Sequence, residues 1–236
     1  MFGIEVYKIL LLINIMKSKN IISSIHKIFE KYKIPRNLQE HMLRAASVGN
    51  LICDNWVGPK INKVNIIAVL LIHDLGNIVK MDFDSEAKLE LIGDEAKRLE
   101  YWKQVKKEVI EKYGKDDHII SEKIADELEV SERLKFILKN KVFSNNEFIV
   151  KSNDWEIKIA AYADQRTGPF GILPLKERFK ELKERYAQRN SENANNSKTD
   201  IFIKCAFQIE EQVLKNSSLN PENINDESIK KYIENF

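Results

Sequence analysis

Glycine and proline are scarce in this sequence, which has 8 and 5 of them among 236 residues. A sheet of many short strands needs these residues at frequent turns, so their scarcity favours long helices. We also find no sustained alternation of apolar and polar residues, which would indicate strands. The sequence therefore predicts an all-α protein.

Cysteine is also scarce. Cys53 and Cys205 lie far apart among apolar neighbours and form no Cys-x-x-Cys pair. This arrangement excludes a structural zinc site built on cysteines. We expect two free thiols in a reducing compartment, which we take to be the cytoplasm.

Long hydrophobic runs are absent. The apolar segment 9–16 is far shorter than the roughly 20 residues that cross a bilayer, and the polar residues 17–20 follow it instead of a small-residue cleavage site. We expect residues 1–20 to form an amphipathic segment that packs on the domain, and we expect no membrane partner. Met16 is an alternative natural start, which would make residues 1–15 a dispensable extension.

Neither sign of charge is in excess. The chain has 38 lysines and arginines against 36 aspartates and glutamates, for a net charge of +2. This balance gives no electrostatic reason for a nucleic-acid partner. The basic stretch 176–185 interleaves glutamates at helical ion-pair spacing, such as Glu177 with Lys180. We therefore expect no nucleic-acid binding.

Apolar periodicity and capping residues divide the chain into helices. The segment 64–72 is apolar nearly all round, which predicts a central buried helix. We find no internal repeat, so we expect one domain at 21–190, with a helical extension at 191–236 packed on it. The expected helix caps are Asn37, Asn62, Asp116-Asp117, Ser131 and Ser152-Asn153-Asp154.

Two of the four histidines are expected to meet in space. His41 opens a predicted helix that runs to about residue 56, and His73 closes the next one. Residues 57–60 form a short loop between the two helices. Helices joined in this way usually run antiparallel, and each of these spans about 20–24 Å. The start of the first helix then lies beside the end of the second. We therefore expect His41 to contact His73.

Two carboxylates lie where burial would be costly without a cation. Asp74 follows His73 at the end of the apolar helix, just before Gly76. Asp164 ends a helix whose residues 157, 160 and 161 form a small, apolar stripe on the same face. A buried carboxylate needs hydrogen bonds, an ion pair or a metal ion. Each residue alone is weak evidence, but their conjunction with the histidines points to a metal centre.

The order His41, His73-Asp74 and Asp164 resembles the HD superfamily of metal-dependent phosphohydrolases, which is named after the His-Asp doublet. The run His73-Asp74-Leu75-Gly76 is similar to its His-Asp-x-Gly pattern, and residues 34–46 resemble its opening helix. The resemblance covers about residues 21–186. It implies a helical bundle around a metal held by His41, His73, Asp74 and Asp164.

The sequence departs from the family in several places. Many members have two further histidines between the doublet and the last aspartate, but only His118 lies there. His118 could face the substrate or transfer a proton, bind a second metal, or be a surface residue at a helix start. Asn77 stands where nucleotidase-like members have a glutamate, which weakens a deoxynucleotidase assignment. The Gly-Tyr-Pro motif that follows the doublet in cyclic-dinucleotide phosphodiesterases of the family is absent from this sequence.

The resemblance implies hydrolysis of a phosphomonoester or nucleotide-type substrate through a metal-bound water. Two imidazoles and two carboxylates suit one divalent ion of Mn, Fe, Co, Ni or Mg. We expect Asp74 and His118 to act in catalysis. The alternative is a non-catalytic metal- or ligand-binding helical module. The residues expected to bind substrate phosphate are Arg44, Asn77, Lys80 and Arg166.

Overall fold

The computed structural model describes residues 16–84, 90–187 and 197–236, and these residues form helices and connecting turns. No strand occurs in these ranges. Two isolated bridges pair Trp56 with Ser217 and Thr167 with Ile172. The all-α prediction is confirmed. The expected amphipathic segment at 1–20 lies outside the described residues up to residue 15, and residues 16–23 are helical.

The α-helices from residue 25 onward are numbered here in chain order. They are α1 Ile25–Lys31, α2 Arg36–Asp54, α3 Lys63–Ile72, α4 Leu99–Tyr113, α5 Asp117–Glu127, α6 Glu132–Asn140, α7 Asn146–Lys151, α8 Trp155–Arg166, α9 Leu175–Ala187, α10 Ser197–Lys215 and α11 Asp226–Ile233. Short 3-10 helices cover Asn77–Lys80, Glu90–Arg98, Phe143–Asn145 and Pro221–Asn223.

Helix α3 lies at the centre of the core. Every residue from Asn65 to Ile72 is buried, as its apolar sequence predicts. It packs against α2, α6 and α8. The central-helix prediction is confirmed, and the elements that surround α3 are those that bring the candidate site together.

Most of the predicted caps are confirmed, and one is wrong. The side chains of Asn62, Asp116, Ser131 and Asp154 each accept a backbone N–H at the start of a helix. Asn37 does not, because α2 already begins at Arg36, directly after the extended Pro35. Asn37 therefore lies inside the first turn, and its buried Oδ1 has no hydrogen-bond partner among the described residues.

The C-terminal helices pack on the same core as the rest. Helix α10 lies against α7 and α8, and α11 lies against α2. The Tyr232 hydroxyl donates to Asp54 at 3.1 Å, which ties the end of the chain to the end of α2. In the part of the chain that the structure describes, no helix has the length and apolar character needed to cross a bilayer.

Candidate metal centre

The four predicted ligands come together: His41, His73 and Asp74 form a compact group, and Asp164 contacts both histidines. The Nε2 atoms of His41 and His73 lie 3.2 Å apart. Oδ1 of Asp164 lies 3.2 Å from Nε2 of His41 and 3.1 Å from Nε2 of His73. The expected contact between the start of α2 and the end of α3 is present, although 32 positions separate the two histidines.

The fourth residue, Asp74, completes the cluster. Its carboxylate oxygens lie 3.6 Å from Nε2 of His41 and 3.6 Å from Nε2 of His73. Candidate ligand atoms of His41, His73 and Asp74 all lie within 4.8 Å of one another. Two imidazole nitrogens and two carboxylate oxygens form a mixed set that suits a divalent transition ion. The residues present therefore fit such an ion.

His73 is held with one ring nitrogen directed at the cluster. It is only 3% exposed, and its Nδ1 lies 2.7 Å from the carbonyl of Leu70, one turn back. A carbonyl can only accept, so Nδ1 carries the proton that it receives. In the neutral ring Nε2 then has the lone pair. Hydrogen bonds of this kind fix both the tautomer and the orientation of a metal-binding histidine.

The electrostatic balance of the cluster favours charged groups in spite of burial. Burial is the largest influence on the pKa of His73 and lowers it, as Lys141 does, but Asp164 and Asp74 outweigh both and the pKa is raised. Burial raises the pKa of Asp74, but His73 and His41 bring it below its ordinary value. Both effects arise from carboxylates and imidazoles placed in contact.

Asn77 binds Asp74. Its Nδ2 donates to Oδ2 of Asp74 at 2.6 Å, while its Oδ1 is buried and has no hydrogen-bond partner within the described ranges. The sequence predicts a substrate-binding role for Asn77. The structure shows the amide orienting a predicted ligand, which is a different contact from the expected one.

Lys141 is a member of the cluster that sequence analysis missed. It caps the end of α6, is 4% exposed, and its Nζ lies 2.6 Å from Oδ2 of Asp164. Burial tends to raise the pKa of Asp164, but Lys141 and His73 hold it well below its ordinary range. One signal was available: buried Ile137 and Leu138 lie four and three residues before Lys141, the same spacing that marked Asp164.

Gly76 allows α5 to pack on the doublet. A Cβ added at Gly76 would lie 2.4 Å from the carbonyl oxygen of Asp117 and 2.8 Å from Cβ of Ile120. The Gly76 amide donates to Oγ of Ser121 at 3.0 Å. Because α5 approaches so closely, only glycine fits at position 76, the second residue after the doublet.

His118 and Lys80 lie together on the α5 side of the doublet. Lys80 Nζ is 2.6 Å from Oδ2 of Asp117, and His118 Nε2 is 3.8 Å from the same atom. The side chain of His118 is 54% exposed. Among the described residues, no hydrogen bond or ion pair joins His118 to His41, His73, Asp74 or Asp164, so a ligand role for His118 gains no support.

Arg44 lies one turn after His41 and bridges two parts of the molecule. Its guanidinium donates to Glu40 at 3.1 Å and to the carbonyl of Pro169 at 3.2 Å. The loop after α8 therefore contacts α2 one turn after the first histidine. Arg44 is near His41 in sequence, but it already has a carboxylate partner.

Arg166 does not lie on the rim, and the expectation that it does is wrong. It is 1% exposed, and its guanidinium donates to the carbonyls of Leu173 and Ile224 and to the hydroxyl of Tyr162. Helix α8 continues through Arg166 instead of ending at Asp164. Residues two apart on a helix are rotated by roughly 200°, so Arg166 points away from the face of Asp164.

Comparison with known proteins found no relative of this chain. No family model matches the sequence, and neither a curated protein nor a solved structure matches it. Functional conclusions therefore depend on the residues and their geometry.

Proposed function

We propose that this protein is a metal-dependent phosphohydrolase of the HD type, acting on a phosphomonoester or nucleotide-type substrate. The observation that carries the proposal is the convergence of His41, His73, Asp74 and Asp164 within hydrogen-bond distance or slightly beyond. These donors come from three helix ends that are distant in sequence. One buried and one half-buried imidazole gathered with two half-buried carboxylates are typical of a metal centre.

The chain's own residues prepare the centre for such chemistry. The carbonyl of Leu70 accepts from Nδ1 of His73, which leaves the lone pair of Nε2 directed at the cluster. Asn77 orients the carboxylate of Asp74. A divalent ion held there would supply Lewis acidity toward a phosphoryl oxygen and lower the pKa of a water.

Cations for the substrate phosphate are available on two sides of the centre. Arg44 lies one turn from His41, and Lys80 lies beside His118 on the α5 side. Developing negative charge on phosphate oxygens needs such donors. The assignment of Arg44 and Lys80 to phosphate binding, and of His118 to proton transfer, stays a prediction. The free thiols of Cys53 and Cys205 suit a reducing compartment, and we place the activity in the cytoplasm.

A phosphate-release screen tests the proposal. Purified protein is reconstituted separately with Mn²⁺, Fe²⁺, Co²⁺, Ni²⁺ and Mg²⁺ and assayed against nucleotides and small phosphomonoesters. We expect release with at least one metal, and a loss of at least about 100-fold in Asp74→Asn, which keeps the side-chain shape but removes the charge. His26→Ala is the matched control, because His26 is exposed and remote from the cluster in sequence.

One observation favours a second function, a metal-binding module without turnover. Arg44 and Lys80 both have carboxylate partners, Glu40 and Asp117, and Arg166 is buried elsewhere. A substrate phosphate would have to displace those partners. Metal binding that depends on Asp74, combined with no phosphate release from any substrate, would support this alternative over hydrolysis.

A further inference from the structure

Lys141 shares one carboxylate with the two histidines. Its ammonium lies 2.6 Å from Oδ2 of Asp164, while Oδ1 of the same carboxylate lies 3.1 Å from His73 and 3.2 Å from His41. The lysine is 4% exposed. Asp164 is therefore held between a permanent cation on one side and the candidate metal position on the other.

A buried ammonium is costly unless it is paired. Among the described residues, Lys141 forms its ion pair with Asp164. No other lysine or arginine in the described ranges is hydrogen-bonded to Asp74 or Asp164. Asp74 and Asp164 supply two carboxylates to the cluster, and Lys141 supplies one ammonium. Removing one partner of such a pair leaves an uncompensated charge, which is strongly destabilising.

We propose that Lys141 is an internal cation that holds Asp164 in place when no metal is bound and lowers the affinity of the centre for a divalent ion. This inference rests on the metal centre of the proposed function, although it does not depend on phosphoester hydrolysis. Lys141 already occupies Oδ2 of Asp164, so a divalent ion held by the same carboxylate would be repelled by the ammonium. Lys141 therefore makes the metal-free state stable and the ion exchangeable.

The size of the repulsion makes the inference measurable. A divalent ion and an ammonium that share one carboxylate would repel strongly enough, even in a medium as polar as water, to weaken binding by about tenfold. Loss of the positive charge should therefore tighten metal binding by at least about tenfold. The same loss should destabilise the metal-free protein, since two half-buried carboxylates then lie together without a fixed cation.

Two variants separate charge from orientation. Lys141→Met keeps the length of the side chain and removes both the charge and the hydrogen bond. Lys141→Gln removes the charge but keeps an N–H donor for Asp164. Lys139→Met is the matched control, because Lys139 is exposed and lies two residues earlier on the same helix. Each protein is purified with metal, stripped with a chelator, and measured by thermal unfolding and by calorimetric titration with Mn²⁺ and Co²⁺.

We expect the metal-free Tm of Lys141→Met to fall by roughly 6–12 °C, with most of the loss recovered at saturating Mn²⁺. Lys141→Gln should lose less in Tm and bind Mn²⁺ at least about tenfold more tightly than wild type. Lys139→Met should match wild type in both measurements. A purely structural lysine would instead lower the Tm equally with and without metal.

The inference is overturned if Lys141→Gln binds both ions within about threefold of wild type, or if Lys141→Met loses the same Tm in both states. Wild type that binds no ion while Lys141→Gln binds one would support the inference and contradict the proposed function. If wild type and all variants bind metal but none releases phosphate, the hydrolase proposal is contradicted. The predicted change in metal affinity then decides the role of Lys141. No binding by any of the proteins would overturn both.

Discussion

Asp164 and Arg166 lie two residues apart on α8, and their side chains serve opposite sides of the helix. Asp164 contacts the two histidines and Lys141, whereas Arg166 donates to the carbonyls of Pro221 and Ile224 in the C-terminal segment. One short stretch of helix thus links the candidate site to the end of the chain. Mutation of Asp164 should therefore affect the metal centre, whereas mutation of Arg166 should affect stability.

Arg166→Met should lower stability and spare the centre. It removes the donors to four oxygen acceptors and leaves Glu210, 3.5 Å away, without its arginine. Breaking a buried network of this kind costs about 3–5 kcal/mol, or roughly 10 °C in Tm. Thermal unfolding and metal content are the measurements, with the exposed Arg36→Met as control. A normal Tm with lost metal or lost turnover would contradict the structural role.

Asn77→Ala should weaken metal binding with little loss of stability. The amide donates to Oδ2 of Asp74 at 2.6 Å, and without it the carboxylate is free to rotate. Loss of such a supporting hydrogen bond typically costs 10- to 100-fold in metal affinity. Calorimetric titration with Mn²⁺ measures the change. An unchanged Kd would show that Asp74 is held by other contacts or is not a ligand.

Metal affinity should fall with decreasing pH, beginning above pH 6.5. Burial and Lys141 lower the pKa of His73, but Asp164 and Asp74 outweigh them, so its pKa lies above the ordinary value of 6.5. A proton and a metal ion compete for Nε2, because Nδ1 is engaged by Leu70. Asp74 and Asp164 have lowered pKa values and stay ionised in this range.

Below the raised pKa of His73, each pH unit should therefore weaken binding by about tenfold for one displaced proton. Titrations with Mn²⁺ from pH 5.5 to 8.5 follow the change. A Kd that stays constant down to pH 5.5 would mean that His73 does not bind the ion. The slope of log Kd against pH is as informative as the midpoint of that curve, because the slope gives the number of protons released when the metal binds.

The contact between His41 and His73 could be predicted because it depends on local features alone. Helix lengths, the short loop between α2 and α3, and the apolar run before the doublet are all visible in the sequence. The side on which Asp164 lies could be inferred from the small residues behind it. These inferences need helical periodicity and an antiparallel pair, and both are present.

The errors concern contacts between elements that are remote in sequence. The direction of Arg166 depends on where α8 ends, and helix ends are the least certain part of a sequence-based assignment. Two of its partners come from the segment 221–224, which no local pattern connects to α8. The apolar residues before Lys141 indicate that it faces the core, but its partner Asp164 is identified only when the end of α6 is packed against α8.

The central claim is that His41, His73, Asp74 and Asp164 bind a divalent ion, and elemental analysis of reconstituted protein tests it most directly. Wild type and His26→Ala should each retain about one ion per chain after removal of excess metal, whereas His73→Ala and Asp74→Ala should retain none. Wild type without metal after reconstitution with each of the five ions, or equal metal content in all four proteins, would contradict the account.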